Sequence, residues 1–207
     1  MHKFPAFDKR DLATKLQQLP PLLRVVFAAA CSERQFPQYR EFYVESAVGD
    51  AEDLRSTLDD IWTNLDIPFG EAVERQQELK PIMKLISQED VVRTWTDAAT
   101  YAQNAGISVA YALRTQLTGD PQEAIWSART AYDSLDHYVI NAEGIDANEP
   151  SGEARVLAHP LVQAEVSRQA RDLAELMSSN GSDIRELAQR ARKRATLESR
   201  LFFQVPS

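Results

Sequence analysis

The sequence predicts an all-α protein, a single-domain multi-helix bundle of about seven to nine helices that covers residues 1–207. Apolar residues recur at intervals of three and four along most of the chain, which is the period of an amphipathic helix. The chain has only seven glycines, which suits helices joined by short turns better than a many-stranded sheet. A hydrophobic content of 43% is too high for a disordered chain and supplies a large core.

The first forty residues predict helices that are separated by prolines. Asp8 is the expected N-cap of a first helix, whose buried face carries leucines at spacings of four and three: Leu12, Leu16 and Leu19. Pro20-Pro21 ends this helix and opens a second one from Leu22 to about Gln35, which is apolar nearly all round and therefore central. We expect Pro37 to end the second helix and restart the chain, because proline is not tolerated in a helix interior.

The middle of the chain predicts one short and one long helix. Gly49-Asp50 breaks and recaps the chain before the cleanest amphipathic stripe of the sequence, formed by Leu54, Leu58, Ile61 and Leu65. The stretch 66–88 has a less regular pattern with a turn at Pro68 and Gly70. Ser87 is the expected N-cap of a long helix that runs to Leu117, whose many alanines permit close approach of neighbouring helices.

The last ninety residues predict three more helices. Gly119 ends the long helix, Asp120 caps the next one and Pro121 takes its first position. The inward face of that helix is expected to carry Ile125, Ala128, Tyr132, Leu135 and Val139. A loop from about Asn141 to Gly152 is the expected hinge, and two helices follow at about 157–178 and 183–199. We expect the apolar tail over 201–205 to dock onto the body of the protein or onto a second subunit.

Charge is unevenly distributed along this acidic chain, whose net charge is −8. The stretch 41–80 alone sums to −8, whereas the stretch 184–200 sums to +4. This polarity has two interpretations, which are pairing of helix faces within the molecule and a surface for a partner. The net negative charge and the lack of any run of 18 apolar residues predict neither a nucleic-acid nor a membrane partner. Because the one cysteine, Cys31, cannot form an internal disulfide, we expect a cytoplasmic protein.

No sequence motif predicts a catalytic residue, a cofactor site or a metal site. Asp133 and His137 lie four residues apart, which is an acceptable spacing for two metal ligands but is more typical of a surface hydrogen bond. Cys31 falls in a predicted buried helix with no histidine nearby in sequence, so we expect it to behave as a small apolar residue.

One group of carboxylates keeps an enzymatic alternative open. Glu71, Glu74 and Glu78 share a predicted helical face, as do the magnesium ligands of all-α nucleotide pyrophosphohydrolases. Those enzymes need a second ligand pair on a facing helix, and here the long helix offers acids mainly in its first turn, where the helix dipole favours them anyway. A solvated acidic face is therefore the favoured interpretation, and a small metal-dependent all-α hydrolase is the alternative.

The segment Ala30-Cys31-Ser32-Glu33-Arg34-Gln35-Phe36-Pro37-Gln38-Tyr39 resembles the signature of the YjaG-like family, bacterial helical proteins of unknown function. Gly49-Asp50, the leucine-rich helix that ends near Trp62, the Leu-Thr-Gly turn at 117–119 and the closing Phe203-Gln204 also fit that family. The resemblance spans nearly the full chain, except the stretch 66–88 and the loop near 141–156. It implies an all-helical bacterial cytoplasmic domain and supplies no activity, cofactor or catalytic residue.

Charged residues at two places are the candidate functional residues. Glu33 and Arg34, next to Pro37, either lock a turn internally or form an amphipathic recognition patch together with Tyr39 and Trp62. The basic last helix adds three more candidates for contact with a partner: Arg192, Lys193 and Arg194. We therefore predict a non-enzymatic protein-interaction module without a cofactor, which binds a protein partner or a second copy of itself.

Overall fold

The computed structural model describes residues 4–65, 83–84, 96–146, 148–149, 151–179 and 183–204, and within these ranges the chain is helical without any strand. Eight helices are described: α1 (Lys9–Gln18), α2 (Pro21–Ser46), α3 (Ala51–Thr63), α4 (Asp97–Thr118), α5 (Pro121–Glu143), α6 (Gly152–Ala158), α7 (Pro160–Met177) and α8 (Ile184–Ser199). The prediction of an all-α bundle of about seven to nine helices is confirmed. None of the helices in these ranges combines the length and the apolar character that crossing a membrane requires.

Side-chain caps begin several of the helices at the predicted residues. The Asp8 carboxylate accepts hydrogen bonds from the backbone N–H groups of Arg10 and Asp11 at the start of α1. Asp50, Asp120 and Asp183 cap α3, α5 and α8 in the same way. Each cap satisfies backbone donors that have no partner within the helix, so the helix starts are fixed by local chemistry.

Helix α2 is the centre of the bundle and packs against α3, α4, α5, α7 and α8. Its first half is buried on all sides, as an uninterrupted apolar surface predicts. Three buried hydroxyls join it to two of its neighbours: Ser32 lies 3.0 Å from Ser108 of α4 and 3.2 Å from Ser127 of α5, and the latter two are 2.8 Å apart. Small side chains at this crossing let the three helices approach closely.

Pro37 does not end helix α2, which runs without a break from Pro21 to Ser46. The predicted break at Gln35 is therefore wrong. A proline inside a helix removes one backbone hydrogen bond and crowds the carbonyl four residues earlier. Packing on both sides offsets this cost, because Phe36, Tyr39 and Phe42 are all buried, and the Tyr39 hydroxyl accepts a hydrogen bond of 3.2 Å from the backbone N–H of Asp50.

Three other boundaries differ from the sequence pattern. Helix α4 begins at Asp97 with Thr96 as its N-cap, whereas Ser87, the predicted cap, lies outside the described residues. Helix α5 extends to Glu143 into the predicted hinge. The helix predicted at 157–178 is two helices, α6 and α7, because His159 caps α7 by accepting a hydrogen bond from Leu161 and Pro160 takes its first position.

The described part of the C-terminal tail packs onto the body of the same chain. Phe202 is 1% exposed and closes a second apolar cluster formed by α5, α6 and α7. Phe203 stacks on Tyr138 with ring centroids 4.5 Å apart and also contacts Tyr101 at 4.8 Å. Phe202 and Phe203 of the tail therefore dock onto the body of the protein, whereas Leu201 and Gln204 are exposed.

Candidate functional site

Arg34 of α2 is fully buried among acidic side chains of the last two helices. Its guanidinium donates hydrogen bonds to Glu165 at 3.0 Å and to Asp172 at 2.8 Å, both on α7. The Glu198 carboxylate of α8 lies 3.6 Å away. Arg171 bridges Asp172 and Glu198 at 2.8 and 2.7 Å, and Arg194 reaches Asp172 at 3.1 Å. We call Arg34, Glu165, Arg171, Asp172, Arg194 and Glu198 the Arg34 network.

Charge pairing outweighs burial within the Arg34 network. Burial by itself raises the pKa of Asp172, but the guanidinium groups of Arg34 and Arg171 more than offset this and hold that pKa below its usual value. Burial likewise disfavours the charged form of Arg34, and the surrounding carboxylates nevertheless hold its pKa well above the ordinary value. Both partners therefore stay ionised at neutral pH, and the network links α2 to α7 and α8 through charged hydrogen bonds.

Glu33, the neighbour of Arg34, points to the other side of α2 and is also buried. Its two carboxylate oxygens accept four hydrogen bonds of 3.0–3.1 Å, two from Arg55 and one each from Trp62 and Thr196. Arg55 also binds Asp59, which in turn pairs with Arg192 of α8. Glu33 therefore joins α2, α3 and α8, and its hydrogen-bonding capacity is used within the protein.

The predicted recognition residues differ in burial and in their ionic partners. Glu33, Arg34, Tyr39 and Trp62 are all buried, although Glu33 and Trp62 each line a cleft. The alternative that they lock this region internally fits their hydrogen bonds. The three basic candidates of the last helix behave differently from one another: Arg192 pairs with Asp59, Arg194 pairs with Asp172 and Glu175, and Lys193 is exposed.

Sequence patterns did not single out Glu165, Asp172 and Glu198, although a signal was present. In α7 the buried positions Leu161, Glu165, Gln169, Asp172 and Leu176 follow one another at spacings of three and four. Polar residues at the buried positions of an amphipathic helix must form hydrogen bonds or ion pairs inside the protein. Such a stripe indicates a buried network, but the identity of its partner on α2 is not a local property of the sequence.

The candidates for metal binding and nucleophilic chemistry have partners of other kinds. Asp133 pairs with Arg129 at 2.7 Å, whereas His137 lies 3.0 Å from Asp97, so the two do not form a ligand pair. Within the described ranges no group of three or more histidine, cysteine and acidic side chains could hold a metal ion. Glu71, Glu74 and Glu78 lie outside the described residues. Cys31 is buried, and burial raises the pKa of its thiol, so it is not a nucleophile.

A cleft of about 530 Å³ lies between the C-terminal part of α2 and the end of α8. Phe36, Pro37, Gln38, Arg40 and Glu41 contribute one wall, and Thr196, Ser199, Arg200 and Phe203 contribute the other. The side chains of Arg40 and Arg200 form no hydrogen bond or ion pair with any part of the chain that the structure describes. The side-chain oxygen of Gln38, which is 9% exposed, is buried without a hydrogen-bond partner. We call this site the α2–α8 cleft.

A family model described as "Protein of unknown function (DUF416)" matches residues 11–197 of the chain. The chain belongs to the DUF416 family. A crystal structure of a DUF416 family protein from Shewanella baltica OS155, at 1.91 Å resolution, is similar to this chain with a TM-score of 0.74 and 16% sequence identity, and the similarity covers 88% of this chain and 92% of that chain. At this identity the similarity shows a shared helical fold. Comparison with curated proteins gives no match.

In this DUF416 member, the segment from Ala30 to Tyr39 holds the fold together. Cys31 and Tyr39 belong to the core, Glu33 and Arg34 organise the two sets of buried ionic contacts, and Pro37 lines the α2–α8 cleft. The residues that carried the resemblance in sequence are thus mainly structural. Arg40 and Arg200 lie beside them, exposed at the cleft.

Proposed function

We propose that this protein is a non-enzymatic protein-interaction module and that the α2–α8 cleft is its docking surface. The observation that carries the proposal is the pair of cations Arg40 and Arg200, which line the cleft without an ionic partner among the described residues. Most arginines of the described chain are in ion pairs, so two unpaired guanidinium groups on one cleft are available to bind carboxylates from outside.

Exposed apolar side chains surround these two arginines. Val44 is 76% exposed and lies one helical turn beyond Arg40 and Glu41 on the same face of α2. Leu197 and Leu201 are 53% and 50% exposed and flank Arg200. These are three of the four large apolar side chains that are at least half exposed in the described part of the chain. Apolar side chains with arginine at the rim are typical of protein interfaces.

Two carboxylates line the cleft, and the buried one favours binding over catalysis, whereas Glu41 is exposed. Glu33 is the buried carboxylate of the cleft, and its oxygens are already occupied by Arg55, Trp62 and Thr196. A general base needs a lone pair that reaches the substrate. The hydrolase based on Glu71, Glu74 and Glu78 stays a sequence-based alternative, because those residues lie outside the described ranges.

The docking surface is tested by cross-linking in living bacterial cells. A photoreactive amino acid replaces Leu197 at the cleft, and a second variant carries it at Met177, which is 38% exposed at the end of α7 and serves as the control position. We expect a defined covalent adduct from position 197 and none from position 177. The adduct should fall at least about fivefold when Arg40→Glu and Arg200→Glu are added, because each reversal repels the partner's carboxylates.

The matched control for the charge reversals is Arg155→Glu on α6, an exposed arginine away from the cleft. It should leave the yield of the adduct unchanged. Equal adduct yields from positions 197 and 177, or a yield that Arg155→Glu lowers as much as Arg200→Glu, would contradict the proposal. Either result would indicate contact by collision rather than docking at the α2–α8 cleft.

We also infer three finer properties from the sequence. The motif Cys31-x-Glu33-Arg34 with Pro37 and Tyr39 supports placement in the YjaG-like group within DUF416. The single cysteine, which cannot form an internal disulfide, supports a bacterial cytoplasmic location. One domain over residues 1–207 is supported by the family model, which spans most of that length.

A further inference from the structure

We infer that the partner at the α2–α8 cleft is a second copy of this chain, bound across a two-fold axis. This inference rests on the proposed docking function and specifies its partner. The surface combines charges of both signs with exposed apolar side chains, and its two walls differ in the sign of their unpaired charge, which makes it complementary to a second copy of itself. Binding of an acidic segment of another protein would require the basic residues of this surface but would not account for its acidic residues, Glu41 and Glu45.

The two walls of the cleft differ in charge. On the α2 wall, Glu41 lines the cleft and Glu45 follows one turn later, and neither has an ion pair within the described chain. Arg40 shares this wall and leaves it with a net charge of −1. On the α8 wall, Arg200 lines the cleft and Lys193 lies two turns earlier on the outward face, so the unpaired charges of this wall are positive.

A two-fold axis that runs along the length of the cleft reverses the order of the walls. When a second copy faces the first across such an axis, each α2 wall meets the partner's α8 wall, so Glu41 of one copy approaches Arg200 of the other twice in the same interface. Arg40 shares the α2 wall with Glu41, and Glu45 follows one turn later, so this wall keeps its net negative charge. Each wall therefore faces a wall of opposite net charge in this arrangement.

Exposed apolar residues next to the cleft add to the same interface. Val44 lies one turn beyond Arg40 on α2, and Leu197 and Leu201 flank Arg200 at the end of α8 and just after it. The rotation therefore packs Val44 of each copy against the leucines of the other, which removes these exposed apolar side chains of both copies from water. Burial of apolar area drives association, whereas the charge pairs at the edges set the orientation.

The test is a charge-reversal experiment on the purified full chain. The molar mass in solution is measured by light scattering and sedimentation at about 1–100 µM for the wild type, Glu41→Arg, Arg200→Glu and the double variant. We expect a dimer for the wild type. Each single variant should raise the dimer dissociation constant at least about tenfold, because the substituted residue then meets a side chain of the same charge at both Glu41–Arg200 contacts of the interface. The double variant should regain the wild-type value.

Mixing the two single variants gives the sharper result. In a heterodimer of Glu41→Arg with Arg200→Glu, the two substituted side chains have opposite charges and meet at one contact, while the native Glu41 and Arg200 meet at the other. We therefore expect the mixture to form a heterodimer about as tight as the wild-type dimer, detected by native mass spectrometry of copies that differ in isotope labelling. A pair within one chain could not be restored by mixing. Both residues are at the surface, and circular dichroism of each variant checks that it is folded.

The outcomes separate the two proposals. A wild-type chain that stays monomeric at about 100 µM overturns the dimer, as does a dimer that is unaffected by both reversals or a mixture that does not recover. If the chain is monomeric but position 197 still forms a cross-link with a different protein in cells, docking at the cleft stands and the second copy is excluded. A monomer without any site-specific cross-link contradicts both.

Discussion

Arg34 shows, at the scale of a single residue, how a charge can be placed in the centre of a helical bundle. The side chain is 0% exposed, yet its guanidinium is surrounded by Glu165, Asp172 and Glu198. Removing a charge from water costs several kcal/mol per ion unless close partners compensate for it. The three carboxylates provide that compensation, and Arg171 and Arg194 balance the excess negative charge from outside.

The first prediction concerns loss of this charge. Arg34→Met should lower the free energy of unfolding by about 3–5 kcal/mol, because Glu165 and Asp172 are then left buried without their partner. Urea unfolding followed by circular dichroism measures the change. The matched control is Lys15→Met, which removes the cation of an exposed i, i+4 pair with Asp11 and should cost only about 0.5 kcal/mol.

A triple variant separates the lost charge from lost packing. If unpaired carboxylates cause the effect, Arg34→Met combined with Glu165→Gln and Asp172→Asn should regain a large part of the stability, since the buried charges are removed together. An Arg34→Met protein as stable as the wild type would contradict the role given to the Arg34 network. A triple variant less stable than Arg34→Met would indicate that packing of the Arg34 side chain dominates.

Helix α2 illustrates the competition between local preference and packing at the scale of an element. Proline in a helix interior is about 3 kcal/mol less favourable than alanine, and this local term predicted a helix end before Pro37. The residues around Pro37 are nevertheless buried against other helices, and Glu33 and Arg34 on the preceding turn are tied to α3, α7 and α8. Continuation of the helix past Pro37 keeps all these contacts, so the helix does not end there.

The second prediction follows from this balance. Pro37→Ala should raise the free energy of unfolding by about 2 kcal/mol, because alanine restores a backbone N–H in the helix interior, and the greater freedom of the unfolded chain offsets only about 1 kcal/mol of the gain. Chemical unfolding compares the variant with the wild type. Pro121→Ala at the first position of α5 is the control and should not be stabilising, since no backbone donor is missing there.

A loss of stability in Pro37→Ala would be evidence against this account. It would mean that the proline ring, which lines the α2–α8 cleft, contributes more by packing than it costs in the backbone. Native mass or cross-linking experiments on the same variant would then show whether the shape of the cleft depends on Pro37.

At the scale of the whole molecule, the C-terminal tail joins the end of the chain to helices from its middle. Phe202 lies in an apolar cluster with residues of α5, α6 and α7, apart from the main core around α2. Phe203 covers Tyr101 of α4 and Tyr138 of α5 and also lines the α2–α8 cleft. The same few residues therefore complete the core and shape the proposed docking surface.

The third prediction concerns the packing of Phe202 into this apolar cluster. Phe202→Ala should lower the free energy of unfolding by about 3–5 kcal/mol, because it leaves a cavity in a closed apolar cluster. Met177→Ala, at an exposed position at the end of α7 and away from the cleft, should cost no more than about 0.5 kcal/mol. Thermal and urea unfolding measure both, and similar stabilities of the two variants would show that the tail is not part of the folded core.

The sequence by itself determined the elements whose causes are local. Asp8, Asp50 and Asp120 cap the helices that they were expected to cap, and Gly119 with a φ of 67° ends α4 as predicted. Capping, left-handed backbone and amphipathic spacing depend on neighbours within about one helical turn, so a single sequence contains the information. The all-α class and the central place of α2 followed from these signals.

Only the tertiary structure decided how the charged residues are used. Arg34 meets Glu165 and Asp172 across 131 and 138 residues of chain, and Thr196 meets Glu33 across 163. The candidates Glu33, Arg34, Tyr39 and Trp62 are inside the protein, whereas Arg40 and Arg200, which the sequence did not single out, have no ionic partner among the described residues and lie at a cleft. Whether a charge is buried, paired or free depends on which helices pack together and on how each helix is rotated about its own axis. Both are determined by packing of the whole core and not by any one segment of the sequence.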